Sequence, residues 1–277
     1  MGMRITTNLA SINAQRTLTN SQNAINKSMA QLSSGSRITK AADDAAGLAI
    51  SENLRSQIRS FSQASRNAQD AISMVQVAEG GLGEISNILT RIRELGIQAA
   101  SDTIGNKERA FLDLEVQQLK QELQRIAETT RFGTTNLLDG TGKVFDIQVG
   151  VYNHPQQDRI SFDSQQLKAT LSELGLEGID FKEKSGAQQA LEVVDAAQSK
   201  VSGYRAYLGA LQNRFQSTID NLGVQHENLS AANSRIRDAD IASSTAEAAR
   251  NQILLQASTS VLAQANQQPA LALKMIG

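Results

Sequence analysis

The sequence predicts a mainly α-helical protein: a long antiparallel helical rod, coiled-coil-like in its packing, with one small β-hairpin and a pair of helices from the two termini. Three observations predict it. Apolar residues recur at helical spacing over most of the 277 residues. Aromatic residues make up only 4%, with no Trp, no Cys and two Pro, so the bulky residues of a broad globular core are missing. The first 42 residues hold no acidic side chain and the last 27 hold one charge, Lys274, yet both ends keep a helical apolar pattern.

The N-terminal stripe is thin: Ile5, Leu9 and Ile12, then after a slip Leu18, Ile25, Met29 and Leu32. From Asp43, whose carboxylate is expected to cap a helix start beside Asp44, apolar positions run through Leu54, Ile58, Phe61, Ala68, Ile72, Val75, Leu82, Ile85, Leu89, Ile92 and Leu95. Unbroken to Ala100, this helix would span roughly 85 Å, with Gly80, Gly81 and Gly83 the expected place for a bend or close packing. After a break over 102–106, Leu112, Val116, Leu119, Leu123 and Ile126 alternate at four and three, the spacing of a coiled-coil seam, so this helix folds back on the first.

The period changes to two at Phe145, Ile147, Val149 and Val151, and a turn with Asn153, His154 and Pro155 leads to 159–162, which predicts a hairpin over about 144–162. A third long helix carries Val201, Tyr204, Leu208, Leu211, Phe215, Leu222, Leu229 and Ile236. The C-terminal stripe is wider: Leu254, Ala257, Val261 and Ala265, with Leu255 and Leu262 beside it. Neither terminal stripe holds a helix alone, because ordering a residue costs about 1–2 kcal/mol of backbone entropy. The termini are expected to be disordered in the monomer and helical only after packing, with each other and with other copies. The expected organisation is 1–42 and 237–277 as two halves of one terminal domain, and 43–236 as the rod.

Composition and motifs exclude several functions. The formal charge of −1 and pI near 6.2 leave no electrostatic footprint for nucleic acid, although Arg4, Arg16, Lys27, Arg37 and Lys40 make the N-terminal segment basic. The uncharged stretch 251–273 interleaves Gln, Asn, Ser and Thr with its apolar residues, so membrane insertion is not expected. No apolar signal core follows Arg4, so any export is expected to use another route. His154 and His226 have no ligand cluster, and Asp238 and Asp240 lack the Gly and distal Glu of a calcium loop and read better as helix caps. The glycines at 80–83 follow a helix and precede no Lys-Ser or Lys-Thr pair, so no phosphate cradle is expected. No nucleophile motif and no cofactor motif is present, and the chain reads as a non-enzyme without cofactor.

The segments LSSGSRITKAADDAAGLAIS (32–51), NLASINAQRTL (8–18), IRELGIQAAS (92–101), SRIRDADIA (234–242) and QASTSVLAQANQQP (256–269) closely resemble bacterial flagellin, from about residue 3 to the C-terminus. Only about 55 residues separate Leu138 from Leu191, so it looks like a short form lacking the variable outer domains. The resemblance implies a subunit of the flagellar filament used for swimming motility. It implies an inner tube packed through Ile5, Leu9, Ile12, Leu18, Ile25, Leu32, Leu254, Ala257, Val261, Leu262 and Ala265. It also implies secretion of the unfolded chain through the flagellar type III apparatus, with an export chaperone, cap and junction proteins as partners, and placement in an extracellular filament, sheathed or periplasmic in some bacteria. In flagellins recognised by the animal innate receptor, contacts match Arg91, Arg93, Glu94, Leu95 and Glu115 here, while Thr90 and Gly96 depart from the usual Gln and Ala. Two alternatives remain at this level: the hook–filament junction protein of the same superfamily, and a soluble coiled-coil scaffold.

Overall fold

A computed structural model describes the backbone of residues 7–276 and the side chains of residues 7–267. Ile5, one of the expected tube residues, lies outside the described residues. The order is α1 (Leu9–Ser34), α2 (Ala45–Ala100), α3 (Asn106–Thr129), β1 (Arg131–Phe132), β2 (Thr135–Asn136), β3 (Val144–Gln148), β4 (Arg159–Asp163), α4 (Leu171–Leu174), α5 (Lys184–Arg237) and α6 (Ile241–Ile276). Two compact units emerge: residues 1–56 with 228–277, and residues 57–227. The helix breaks fall near 35–44 and 238–240, whereas this division passes within α2 and α5.

In the larger unit, α3 and α5 each pack antiparallel to α2. Arg91 of α2 meets Glu115 of α3 and Arg93 meets Asp195 of α5, each through its guanidinium, and Lys184 meets Asp102 at 2.7 Å. The seam is apolar: Leu82, Ile85, Leu89 and Ile92 of α2 lie against Val116 and Leu123 of α3 and Val194, Val201, Leu208 and Phe215 of α5, all fully buried or nearly so. These are the four-three positions read from the sequence. Helix α2 is continuous through its glycines. A Cβ on Gly81 would stand 2.7 Å from Thr130 Oγ1 and 2.8 Å from Leu138 Cδ1, so this glycine admits the chain that leaves α3, whereas Gly80 and Gly83 face open space.

The buried face of α3 is more polar than its sequence suggests. Arg109, Asp113, Val116, Lys120, Leu123 and Ala127 are buried at four-three spacing, and Leu112, Leu119 and Ile126 flank them half-buried. Burial of three charges is tolerable because backbone groups meet them. Arg109 donates to the carbonyls of Ala99 at 2.8 Å and Ser101 at 2.9 Å. Lys120 donates to those of Glu177 and Ile179, at 2.7 and 3.3 Å, while Asp113 accepts from the amide of Phe181 at 3.1 Å. Desolvation lowers the Lys120 pKa, opposed by the nearby Asp113 charge.

The hairpin pairs Phe145 with Phe162 and Ile147 with Ile160, in antiparallel register. The two rings stack with centroids 6.0 Å apart. The strand ends before Val151, because the amides of both Val149 and Gly150 reach the carbonyl of Asp158, a bulge that turns the chain away. A second, two-residue hairpin, β1–β2, turns at Gly133 with φ +60° and has no period in the sequence to announce it.

In the smaller unit α1 and α6 pack antiparallel, with Asn8 Nδ2 donating to the Ala265 carbonyl at 2.8 Å and Ser11 Oγ to Asn266 Oδ1 at 2.8 Å. Asn8 also caps α1 through the Ser11 amide at 3.1 Å, and Gly35 closes it at φ +66°. Asp44, not Asp43, caps α2, accepting from the Gly47 amide at 2.8 Å. Asp43 instead takes the amides of Thr39 and Lys40 and the Lys27 ammonium, because it precedes the helix by one residue too many to face its free amides. Asp240 caps α6 through the amides of Ala242 and Ser243.

Candidate functional site

The terminal pair α1–α6 carries the candidate site, which is a surface. Its internal seam has an unbroken four-three rhythm: Ser11, Ala14, Leu18, Ser21, Ile25, Ser28 and Leu32 on α1, and Ser244, Ala248, Asn251, Leu255, Ser258, Leu262 and Ala265 on α6, each buried or half-buried. Its buried members are the small ones: Ala14, Ser21, Ser28, Ser244, Ser258 and Ala265. Small side chains let two helices approach closely and hide little apolar area in doing so. The slip seen between Ile12 and Leu18 is thereby explained, since the seam enters through Ser11 and Ala14.

Five large apolar side chains, Leu18, Ile25, Leu32, Leu255 and Leu262, are half-buried in this seam, and seven others stay exposed. Leu9, Ile12 and Met29 on α1 and Ile241, Ile253, Leu254 and Val261 on α6 are all 46–66% exposed. Of the expected tube residues, Leu18, Ile25, Leu32, Leu262 and Ala265 therefore join α1 to α6, while Leu9, Ile12, Leu254, Ala257 and Val261 point outward. A folded pair that leaves seven large apolar side chains exposed has apolar surface available to something else. Among the described residues no helix is long and apolar enough to cross a membrane, and no group of three or more acidic or His side chains converges as a metal site.

The segments linking this pair to α2 and α5 are tied together. Gly35–Arg37 runs antiparallel to Arg237–Ala239, with the Arg37 amide on the Arg237 carbonyl and the Ala239 amide on that of Gly35. The Arg37 guanidinium adds the Ile236 carbonyl at 2.8 Å, and Arg237 binds Glu52 at 2.7 Å.

On the larger unit, Arg91 binds Glu115 through Nε and Nη2 at 3.0 and 2.8 Å and Glu94 through Nη1 at 3.1 Å. Glu115 first, then Glu94, holds the guanidinium more firmly protonated than usual. Leu95 is 2% exposed and belongs to the core; its seam position, four residues from Arg91, faces inward, so it is not a surface contact in this subunit. Gly96 is explained in place: a Cβ there would lie 3.0 Å from Leu191 Cδ2 and 3.3 Å from Phe181 Cζ.

Comparison with known proteins agrees with this architecture. Residues 5–143 match the bacterial flagellin N-terminal helical region and residues 191–276 the bacterial flagellin C-terminal helical region. A flagellin of Halalkalibacterium halodurans is 45% identical over 274 residues, covering 99% of this chain and 100% of the relative. The flagellar filament 33 kDa core protein of Treponema phagedenis is 41% identical, with 96% of each chain covered. Among solved structures, the flagellin of Bacillus cereus superposes at a TM-score of 0.50 with 33% identity, over 61% of this chain and 94% of that one. With both helical regions matched in order and full-length relatives of the same size, the chain belongs to the bacterial flagellins.

Proposed function

We infer that this chain is the repeating structural subunit of a bacterial flagellar filament, a self-assembling homopolymer that serves swimming motility. The observation that carries the reading is the set of large apolar side chains that the α1–α6 pair leaves exposed. Fully burying a Leu, Ile, Val or Met contributes about 1.5–3 kcal/mol, so covering these half-exposed side chains with neighbouring copies supplies a drive for assembly. A head-to-tail contact of this kind that does not close generates an open filament. The role is structural and needs no chemistry at the surface.

The test is electron microscopy of the full-length protein seeded with sheared assemblies, beside a chain reduced to residues 43–236. Long uniform tubes from the first and soluble protein from the second are expected. Growth of equal tubes by the shortened chain would remove the terminal pair from the mechanism, and short, self-limiting assemblies of the full chain would favour a junction protein.

Family membership supports four further proposals: secretion through the flagellar export apparatus, escort by an export chaperone, growth beneath a cap from a junction, and an extracellular position, free or sheathed. Recognition by the animal innate receptor is proposed for the Arg91–Glu115 pair, with Leu95 acting from the core to hold α2 in place. Purified monomer applied to receptor-bearing cells tests it, and an unchanged response to Arg91→Ala would end the assignment.

A further inference from the structure

Two features of the larger unit are unused by its own fold. On α3, Phe111 is 71% exposed and Leu114 is 64% exposed. Three residues apart, they share one helix face, between Glu108 one turn before and Glu115 one turn after Phe111. The second feature is an open groove of about 480 Å³ between the bulged end of the β3–β4 hairpin, α2 and α5. Phe61, Val149, Val151 and Leu222 give it apolar walls, Tyr152 stands at the rim 62% exposed, and Asp158 and Arg214 line it, Arg214 without an ion pair among the described residues. The Val149–Gly150 bulge opens it, since the strand there turns aside to reach the Asp158 carbonyl.

The apolar pair cannot fill the groove of its own subunit. Glu115 is level with Arg91 and Arg109 is level with Ala99, so Phe111 lies beside the end of α2, whereas the groove lies at Phe61. At about 1.5 Å per residue along the unbroken helix, the two are separated by roughly 50 Å. One charge pair is complementary: Arg214 of the groove has no ion pair among the described residues, and Glu108 stands one turn before Phe111, next to Lys107, while Glu115 is taken by Arg91. We propose that Phe111 and Leu114 of one subunit seat in the Phe61–Tyr152–Leu222 groove of the next copy along the filament, with Glu108 toward Arg214. The proposal rests on the filament-subunit reading and adds a contact in the larger unit, apart from the terminal pair. Knob and groove are different surfaces of one molecule, so the contact is heterologous and repeats without closing. It also sets the translation between successive subunits along a row at roughly 50 Å.

The absence of cysteine allows a direct test. A chain with Phe111→Cys and Tyr152→Cys, polymerised and then oxidised, is expected to run as a ladder of disulfide-linked oligomers on a denaturing gel, and neither single variant is. In parallel, Phe111→Glu with Leu114→Glu is expected to raise the critical concentration for seeded growth at least tenfold. The monomer's helix content and melting should stay as in the parent, because both side chains are exposed. Filaments of the double-cysteine chain that give no ladder would overturn the contact, as would growth of the double-glutamate chain at the parent's critical concentration, which would assign the apolar pair to some other partner. Should the double-cysteine chain not polymerise, images of parent filaments decide: a row repeat near 50 Å supports the contact, and a clearly different one overturns it. Failure of the parent chain itself to grow from seeds would strike the filament reading first, and is distinguishable from every outcome above.

Discussion

The amide of Arg37 donates to the carbonyl of Arg237 at 2.6 Å, joining positions two hundred residues apart in sequence. Around this bond the two connecting segments form a short antiparallel tie, closed on one side by Lys27–Asp43 at 2.9 Å and on the other by Arg237–Glu52 at 2.7 Å. Neither connection is therefore a free linker, although each is short of regular structure. Rigidity at this point comes from backbone pairing, and the ion pairs set its response to acid.

That response has a defined sign. Lys27, followed by Thr39, holds the Asp43 carboxyl far below the usual carboxylate range, and Arg237 lowers that of Glu52. Depressed values in the folded chain mean that the contribution is complete above about pH 4, where the unfolded carboxylates are also ionised, and is lost as the pH falls through the folded values. Filaments are expected to lose thermal stability below about pH 4, and Asp43→Asn to flatten that acid limb while lowering stability at neutral pH. Melting curves of both chains between pH 7 and pH 2 check this; identical acid limbs would show the tie to be acid-indifferent.

The glycines of α2 give opposite expectations at neighbouring positions. Gly83→Ala adds a methyl group into open space and removes the helix penalty of glycine, so stability should rise by about 0.5–1 kcal/mol. Gly81→Ala drives a Cβ against Thr130 and Leu138 and should lower it by about 1–3 kcal/mol. Denaturant titration of the full chain separates the two, and equal effects of either sign would contradict the packing at Gly81.

Segment 175–183, which has no helix or strand, is fastened to α3 by buried charge. Asp113 accepts the Phe181 amide there, and Phe181 is fully buried. Asp113→Ala strands that amide without a partner, which costs about 1–3 kcal/mol. The expected mark is faster amide exchange confined to 177–183 and α3, ahead of global unfolding. A variant with parental exchange there would mean that the apolar contacts of Phe181 suffice.

How much of this was legible in the sequence follows from what each seam is made of. The seam of α2, α3 and α5 was readable because it is written in Leu, Ile and Val at four-three spacing. Arg109, Asp113 and Lys120 share the rhythm in α3 but carry no hydrophobic signal, and their partners are carbonyls and an amide of segments without period. The hairpin was visible from Phe145 and Ile147, whereas its bulge depends on the long-range carbonyl of Asp158. In α1 and α6 the apolar stripe reads as one surface in the sequence. The structure divides it, because serine and alanine at heptad spacing carry no hydrophobic signal and yet decide which face closes.

That division yields the most discriminating expectation. If the small-residue seam joins α1 to α6 within a subunit and the outward stripe joins subunits, enlarging one and polarising the other should fail differently. Ser21→Leu places a large side chain at a 7%-exposed seam position, and overpacking of this kind typically costs about 1–3 kcal/mol. It should prevent the terminal pair from closing, leaving subunits that neither seed nor extend. Val261→Asp, at a position 57% exposed, leaves the pair free to close and puts a carboxylate where a neighbour must pack; burying an unpaired charge costs several kcal/mol. Helix content of the isolated subunit should survive Val261→Asp better than Ser21→Leu, while growth is lost in both. Leu262→Asp lies on the seam and should behave like Ser21→Leu. Normal filaments from Val261→Asp would mean that this exposed position faces water in the polymer, and the exposed apolar side chains of α1 and α6 would then need another reason.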